Sequence, residues 1–233
     1  MKKLFLAVAL LFTIGLVAQE QPSGISVNGE GTITVVPDEV LIQVYIQEEA
    51  SSAQKVKENT DKVIDEVLKY LKSEKIPQKN IQTEYVRLGK NVQTSKYGNV
   101  PNAINFYANQ SISVLLTDVS KYDEITRGLL ELGINGINSV QFKSSEIEKY
   151  EAQARLKAIA DAKSKANEYA KALEVKVGTP ILISESSNSY SNPQVFRTME
   201  MKQSSVSSSN TQTLAVGEME IKAQIHVVFS IIN

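Results

Sequence analysis

Apolar residues recur at every second position near the start of the chain: Ile25 and Val27, Ile33 and Val35, then Val40, Ile42, Val44 and Ile46. A period of two puts one set of side chains on one face of an extended chain, so this stretch predicts two half-buried strands. Val36-Pro37-Asp38-Glu39 falls between them and supplies turn chemistry. The period then changes. Val56, Thr60, Val63, Ile64, Val67, Leu68 and Leu71 recur at three- and four-residue spacing, which predicts an amphipathic helix over residues 53–73. Pro77 lies beyond its end and prevents continuation.

Residues 81–88 read as a further strand and residues 89–102 as a polar loop. Ile104, Phe106, Ala108, Ile112, Val114 and Leu116 then alternate over residues 104–116, with Gln110 as the polar exception. Asp118 or Ser120 is placed to cap a helix whose face is Val119, Tyr122, Ile125, Leu129 and Leu132, with Gly133 as its C-cap. Val140 and Phe142 mark a short strand. The longest helix is predicted over residues 145–173, where Ala154, Ala158, Ala162, Ala166 and Ala170 stand four apart. Such a row is a shallow ridge that lets another element approach closely, with Ile159, Tyr169 and Leu173 supplying bulk beside it.

Gly178-Thr179-Pro180 breaks that pattern, and Ile181 and Ile183 begin a strand. Residues 186–213 are dense in serine and asparagine and read as a long mobile loop. The closing strand carries Met219, Ile221, Ala223, Ile225, Val227, Phe229 and Ile231 on one face, and Glu220, Lys222, Gln224 and His226 on the other. The order ββαββαβαββ predicts the α+β class: a mixed, mostly antiparallel sheet backed by two or three helices, one of them long and Ala-rich. Two strands, over residues 104–116 and 214–231, are too long to pair fully within one small sheet. Their unpaired edges would invite a second copy, so a homo-oligomer is expected.

The N-terminus bears on destination. Lys2 and Lys3 precede an apolar run over residues 4–17, and Ala18 precedes Gln19-Glu20-Gln21-Pro22. That is the order of a signal peptide over residues 1–18, and the run is short of the roughly 20 residues needed to span a bilayer. Its removal leaves 215 of the 233 residues, with 23 basic against 26 acidic groups and no cysteine. A net charge of −3 gives no basic patch for a nucleic acid. Without cysteine, neither lipid attachment nor disulfides are possible, and packing must supply the stability. No second long apolar run follows, so no transmembrane helix is expected after cleavage. The long helices also argue against an outer-membrane barrel.

Val27-Asn28-Gly29-Glu30-Gly31 followed by Val36-Pro37-Asp38, Tyr107-Ala108 in the middle strand, and Asp161-Ala162, Lys165-Ala166 and Tyr169-Ala170 in the alanine helix form a recognisable series with Val177-Gly178 and Val216-Gly217. In this order they resemble the SIMPL-domain family of exported bacterial envelope proteins, over residues 24–233. The resemblance implies a periplasmic or outer-membrane-associated protein linked to envelope or oxidative stress. It implies no settled biochemical activity; with no catalytic constellation in the sequence, a non-enzymatic role through self-assembly or an envelope protein partner is expected. It carries no catalytic residue to any position here.

The residues that invite sharper readings yield to plainer ones. Gly29-Glu30-Gly31 lacks the further glycines and following helix of a phosphate loop, and a bulge or bend is expected instead. His226 is the only histidine, no G-x-S-x-G elbow occurs, and zinc would need three or four ligands. Glu48-Glu49 ends a strand where negative charge favours the next helix, and adjacent carboxylates do not face each other across a cleft. Lys143, Lys149, Lys157, Lys163, Lys165 and Lys171 interleave with acids as a solvated face, with Asp161–Lys165 and Glu168–Lys171 at pairing distance. No catalytic residue, metal ligand or cofactor is therefore expected. The alternative function is a hydrolase of the cell envelope built on Ser, Asp and Tyr, for which His226→Ala is the control.

Overall fold

The computed structural model describes residues 24–94, 101–186 and 217–232. The expected signal segment and all but the first residue of the expected serine-rich loop lie outside the described residues. The elements are β1 (Ile25–Val35), β2 (Glu39–Ala50), α1 (Ala53–Ser73), β3 (Ile81–Thr83), β4 (Arg87–Thr94), β5 (Pro101–Leu116), α2 (Tyr122–Glu131), β6 (Gly136–Lys143), α3 (Ile147–Ala172), β7 (Lys176–Ser186) and β8 (Met219–Ile232). The class is α+β with antiparallel sheets. Where one sheet was expected there are two, a five-stranded and a three-stranded one. By contacts the chain also divides into two compact units, one built mainly on residues 32–154 and the other on residues up to 31, 155–188 and 223–233.

In the larger unit the sheet order is β3-β5-β2-β6, and β4 also pairs with β5. The alternation read from the sequence puts Val40, Ile42, Val44 and Ile46 of β2 and Ile112, Val114 and Leu116 of β5 on one face. Ile64, Val67 and Leu71 of α1 and Ile125 and Leu129 of α2 complete the same buried cluster. Each such side chain contributes about 1.5–3 kcal/mol on burial. Helix α1 has the predicted bounds. Ser52 accepts the Lys55 N–H at 3.2 Å, and the buried Thr60 hydroxyl donates to the Val56 carbonyl at 2.8 Å. Asp118 caps a short 3-10 turn rather than the helix itself, accepting the Ser120 N–H at 3.0 Å, and Gly133 follows α2 at φ 89°.

Two expectations are corrected here. The strand expected over residues 81–88 breaks at residues 84–86, and β4 runs on through what had read as loop. Its residues Lys90 and Asn91 are exposed, so they carry no apolar period to betray the strand. The second concerns the long strands. β5 pairs with β2 from Val40↔Leu116 to Ala50↔Phe106, and its other edge is taken by β3 and β4 laid end to end. β8 lies between β1 and β7. Neither long strand is an edge, because two partners divide the length that one could not match. The argument that placed association on these strands therefore fails.

In the smaller unit α3 packs on the three-stranded sheet. Ala158, Ala162 and Ala166 are fully buried and Ala170 nearly so, while Ile225, Val227 and Phe229 of β8 are buried in the same unit. The ridge reading of the alanines holds. Ile159, Tyr169 and Leu173 do not supply buried bulk, since all three are exposed. A Cβ on Gly29 would stand 2.1 Å from the Ala158 carbonyl oxygen and 2.8 Å from the Ala162 Cβ. The glycine is what lets helix and strand touch.

Candidate functional site

Among the described residues strand β1 is one edge of its sheet, and α3 closes part of that edge with side chains. The Asp161 carboxylate accepts the Glu30 N–H at 2.8 Å, and the Lys165 ammonium donates to the Asn28 carbonyl at 3.0 Å. Asp161 and Lys165 bond each other at 2.7 Å. The Lys165 hydrogen bond, followed by that of the Glu30 N–H, lowers the Asp161 pKa; the bond to Asp161 raises that of Lys165. These two residues are thus more than members of a solvated row.

Asp38 plays a comparable part in the larger unit. Its carboxylate accepts the Ser145 N–H at 2.8 Å and the Ser145 hydroxyl, and its own N–H donates to the Lys143 carbonyl at 3.2 Å. The Ser144 hydroxyl accepts the Glu146 N–H at 3.3 Å. The turn ahead of α3 is therefore held by side chains from its own start and from the head of β2. Burial pushes the Asp38 carboxyl up, but the hydrogen bonds from Ser145 and its neighbours more than offset this and leave it lowered.

His226 does not stand alone. Its Nδ1 lies 2.9 Å from Asn28 Oδ1 and its Nε2 lies 3.4 Å from Ser26 Oγ. An amide oxygen only accepts, so with this pairing Nδ1 is the donor to Asn28, and Nε2 faces the serine hydroxyl. The order serine, imidazole, amide oxygen matches the connectivity of a hydrolytic triad. Sequence reasoning missed it because Ser26 and Asn28 sit some 200 positions from His226. Their spacing of two, which puts both on one face of β1, was the available signal. Glu48 and Glu49 lie within β2, and Glu49 accepts a hydrogen bond from Asn91 at 3.2 Å. Among the described residues, no group of three or more His, Cys, Asp or Glu is gathered to hold a metal.

The opposite edge of the smaller sheet is different. Among the described residues β7 pairs with β8 alone, and Ile181, Leu182 and Ile183 are 47%, 44% and 65% exposed. Ile231 and Ile232 at the end of β8 add to this apolar surface. Pro180 and the register shifts on either side of it blunt the first half of the strand, as edge strands commonly are blunted. From Ile181 onward neither proline nor lysine interrupts it.

These features describe an α+β protein with antiparallel sheets, a polar sheet face bearing one histidine, and an exposed apolar strand edge. No described helix is long and apolar enough to cross a membrane. The chain belongs to the SIMPL family (protein of unknown function, DUF541), which it matches over residues 25–229. It is 26% identical over 234 residues to the uncharacterized protein YggE of Escherichia coli strain K12, covering 98% of this chain and 93% of that protein. It is 24% identical over 228 residues to the 26 kDa periplasmic immunogenic protein of Brucella melitensis, covering 94% and 91%. YggE of Edwardsiella ictaluri is 24% identical over 238 residues, covering 99% of each.

Proposed function

We propose that this is a periplasmic, non-enzymatic protein of the cell envelope, exported by a signal peptide over residues 1–18, that acts by self-assembly or by binding an envelope protein. The localisation draws support from the similar Brucella protein, which is called periplasmic. The association rests on the β7 edge, where backbone groups without a strand partner among the described residues coincide with the exposed Ile181, Leu182 and Ile183. Such an edge accepts an added strand, with backbone hydrogen bonds giving affinity and apolar side chains the burial. Light scattering on the chain without residues 1–18 tests it. The expected result is a species larger than a monomer, reduced to a monomer of unchanged melting temperature by Ile183→Lys. A monomer with no captured envelope partner in crosslinked cells overturns it. The link to envelope or oxidative stress belongs to this proposal, and a deletion strain without a stress phenotype would remove it.

A second reading, a hydrolase, is favoured by one observation, the Ser26–His226–Asn28 alignment. Acyl transfer also needs donors aimed at the developing oxyanion. A fluorophosphonate probe decides the matter. Labelling of Ser26 that is lost in His226→Ala supports hydrolysis, and no labelling overturns it.

A further inference from the structure

The face of the larger sheet that carries no core holds a cleft of about 270 Å³. Gln43, Asn109, Ser111 and Asn138 line it from β2, β5 and β6, Glu84 and Tyr85 from the β3–β4 connection, and Arg87 from the start of β4. The side chains are amides, a hydroxyl, one carboxylate, one guanidinium and one phenol, with no aliphatic residue among them. The charges cancel, so no strong attraction for an anion or a cation remains.

The connection is fixed before any ligand arrives. The Glu84 N–H donates to the Ser111 carbonyl at 2.9 Å, and the Glu84 carbonyl accepts from the Gln110 amide at 2.8 Å. Gln43 Nε2 donates to Glu84 Oε1 at 2.9 Å. On the other wall, the register between β2 and β6 shifts after Gln43: Gln43 faces Ser139 and Val44 faces Ile137. Asn138 is the residue left over, and such a bulge re-aims its side chain.

Among the described residues, the Arg87 guanidinium and the Asn109 and Asn138 amides have no hydrogen-bond or ionic partner. Tyr85 is 95% exposed, which leaves its ring without a packing role. We infer that this cleft binds an uncharged oligosaccharide. A guanidinium donates to neighbouring hydroxyls, a carboxylate accepts from them, and a planar amide does both, so together these groups match a ligand whose hydroxyls give and accept. An exposed aromatic ring offers the apolar face on which a sugar ring rests. A peptide is served less well, since the backbone N–H and carbonyl of Glu84 are already engaged and no apolar pocket is present to take a side chain. This site is independent of the β7 edge.

The test uses the full chain without residues 1–18, labelled with nitrogen-15, and follows the side-chain amide signals of Gln43, Asn109 and Asn138. Chitotetraose and maltotetraose are the probes, with tetraalanine and inorganic phosphate as the competing ligands. We expect saturable shifts with at least one of the oligosaccharides. Asn109→Ala and Tyr85→Ala should each weaken binding about fivefold, the worth of one net contact. Tyr85→Ala removes a side chain with no packing role, so it keeps the test open if Asn109→Ala does not fold. No shift with either sugar, shifts only with tetraalanine or phosphate, or sugar binding indifferent to these substitutions overturns the assignment.

Discussion

Asp161 accepts the backbone N–H of Glu30 at 2.8 Å from a helix, where the next strand of a sheet would ordinarily have supplied the acceptor. Lys165, one turn further along, donates to the carbonyl of Asn28 at 3.0 Å. In an edge strand the carbonyl of one residue and the N–H two positions on point to the same open side. The acid and the base meet that pair in complementary order, and their mutual bond at 2.7 Å fixes both. The edge of β1 is thereby closed to a further strand at these two groups. Asp161→Ala should cost about 1 kcal/mol, since a charged hydrogen bond is lost from a partly solvated site. Urea denaturation measures it, and a midpoint equal to the parent's would show that the Glu30 N–H is equally content with water.

The same contact sets a pH dependence. The Asp161 pKa is lowered in the folded chain. A lowered carboxyl contributes stability above its unfolded value and loses it as pH falls through the folded one. Asp161→Asn keeps an acceptor for Glu30 but cannot titrate. The stability gap between parent and Asp161→Asn should therefore be open at neutral pH and close below the ordinary carboxylate range. A gap that persists in acid, measured by urea denaturation across that range, contradicts the ion pair as its source.

Asp38 offers a parallel case at the entry to α3. Its carboxylate holds both the N–H and the hydroxyl of Ser145, so Asp38→Ala should lower stability by about 1 kcal/mol, the usual cost of losing a helix-initiating side-chain acceptor. Ser145→Ala removes only the hydroxyl and should cost less. Thermal melts of the two variants give the ordering, and the reverse order would place the stabilisation in the hydroxyl rather than in the backbone.

Glu174, two residues beyond α3, adopts φ 56°, a left-handed conformation that most side chains disfavour. The Val175 N–H meanwhile reaches the Ala170 carbonyl at 2.9 Å and closes the helix end. Glu174→Gly should raise stability by up to about 1 kcal/mol, because glycine takes this position without strain. A lower melting temperature would mean that the carboxylate itself contributes more than the backbone strain costs.

Much of this fold was legible because the period of apolar residues reports which face is buried. β2, α1 and the alanine row of α3 each show one buried stripe, and each was read from it. β4 showed none because none of its residues 87–91 is buried. The number of sheets was not legible either, since alternation along β1 and β2 says which residues point inward but not which strand lies alongside. The polar features were the least readable. Ser26 and Asn28 meet His226, and Gln43 meets Glu84, across long separations in the chain. Polar residues on a solvated face carry no period of their own to announce the meeting.

Gly29 and Ala162 make the sharpest test of how α3 sits on β1. The family-like segment Val27-Asn28-Gly29-Glu30-Gly31 places its first glycine where the strand passes beneath the helix. A Cβ on residue 29 would meet the Ala158 carbonyl oxygen at 2.1 Å, and that atom belongs to the helix backbone. A flexible side chain could turn away, but a helical carbonyl cannot. Gly29→Ala must therefore push α3 away from the sheet, which also strains the Asp161–Glu30 bond beside it. The expected cost is about 3 kcal/mol, the upper end of ordinary overpacking. Ala162→Leu forces three extra carbons into the same interface from the other side and should cost about 1–3 kcal/mol. The two sites touch, so their effects should not add: once the helix has been lifted by one substitution, the second finds room already made. Urea denaturation of both single variants and the double variant gives the coupling. Fully additive losses would mean that residues 29 and 162 do not share a contact, and the close approach of helix and strand would have to be abandoned.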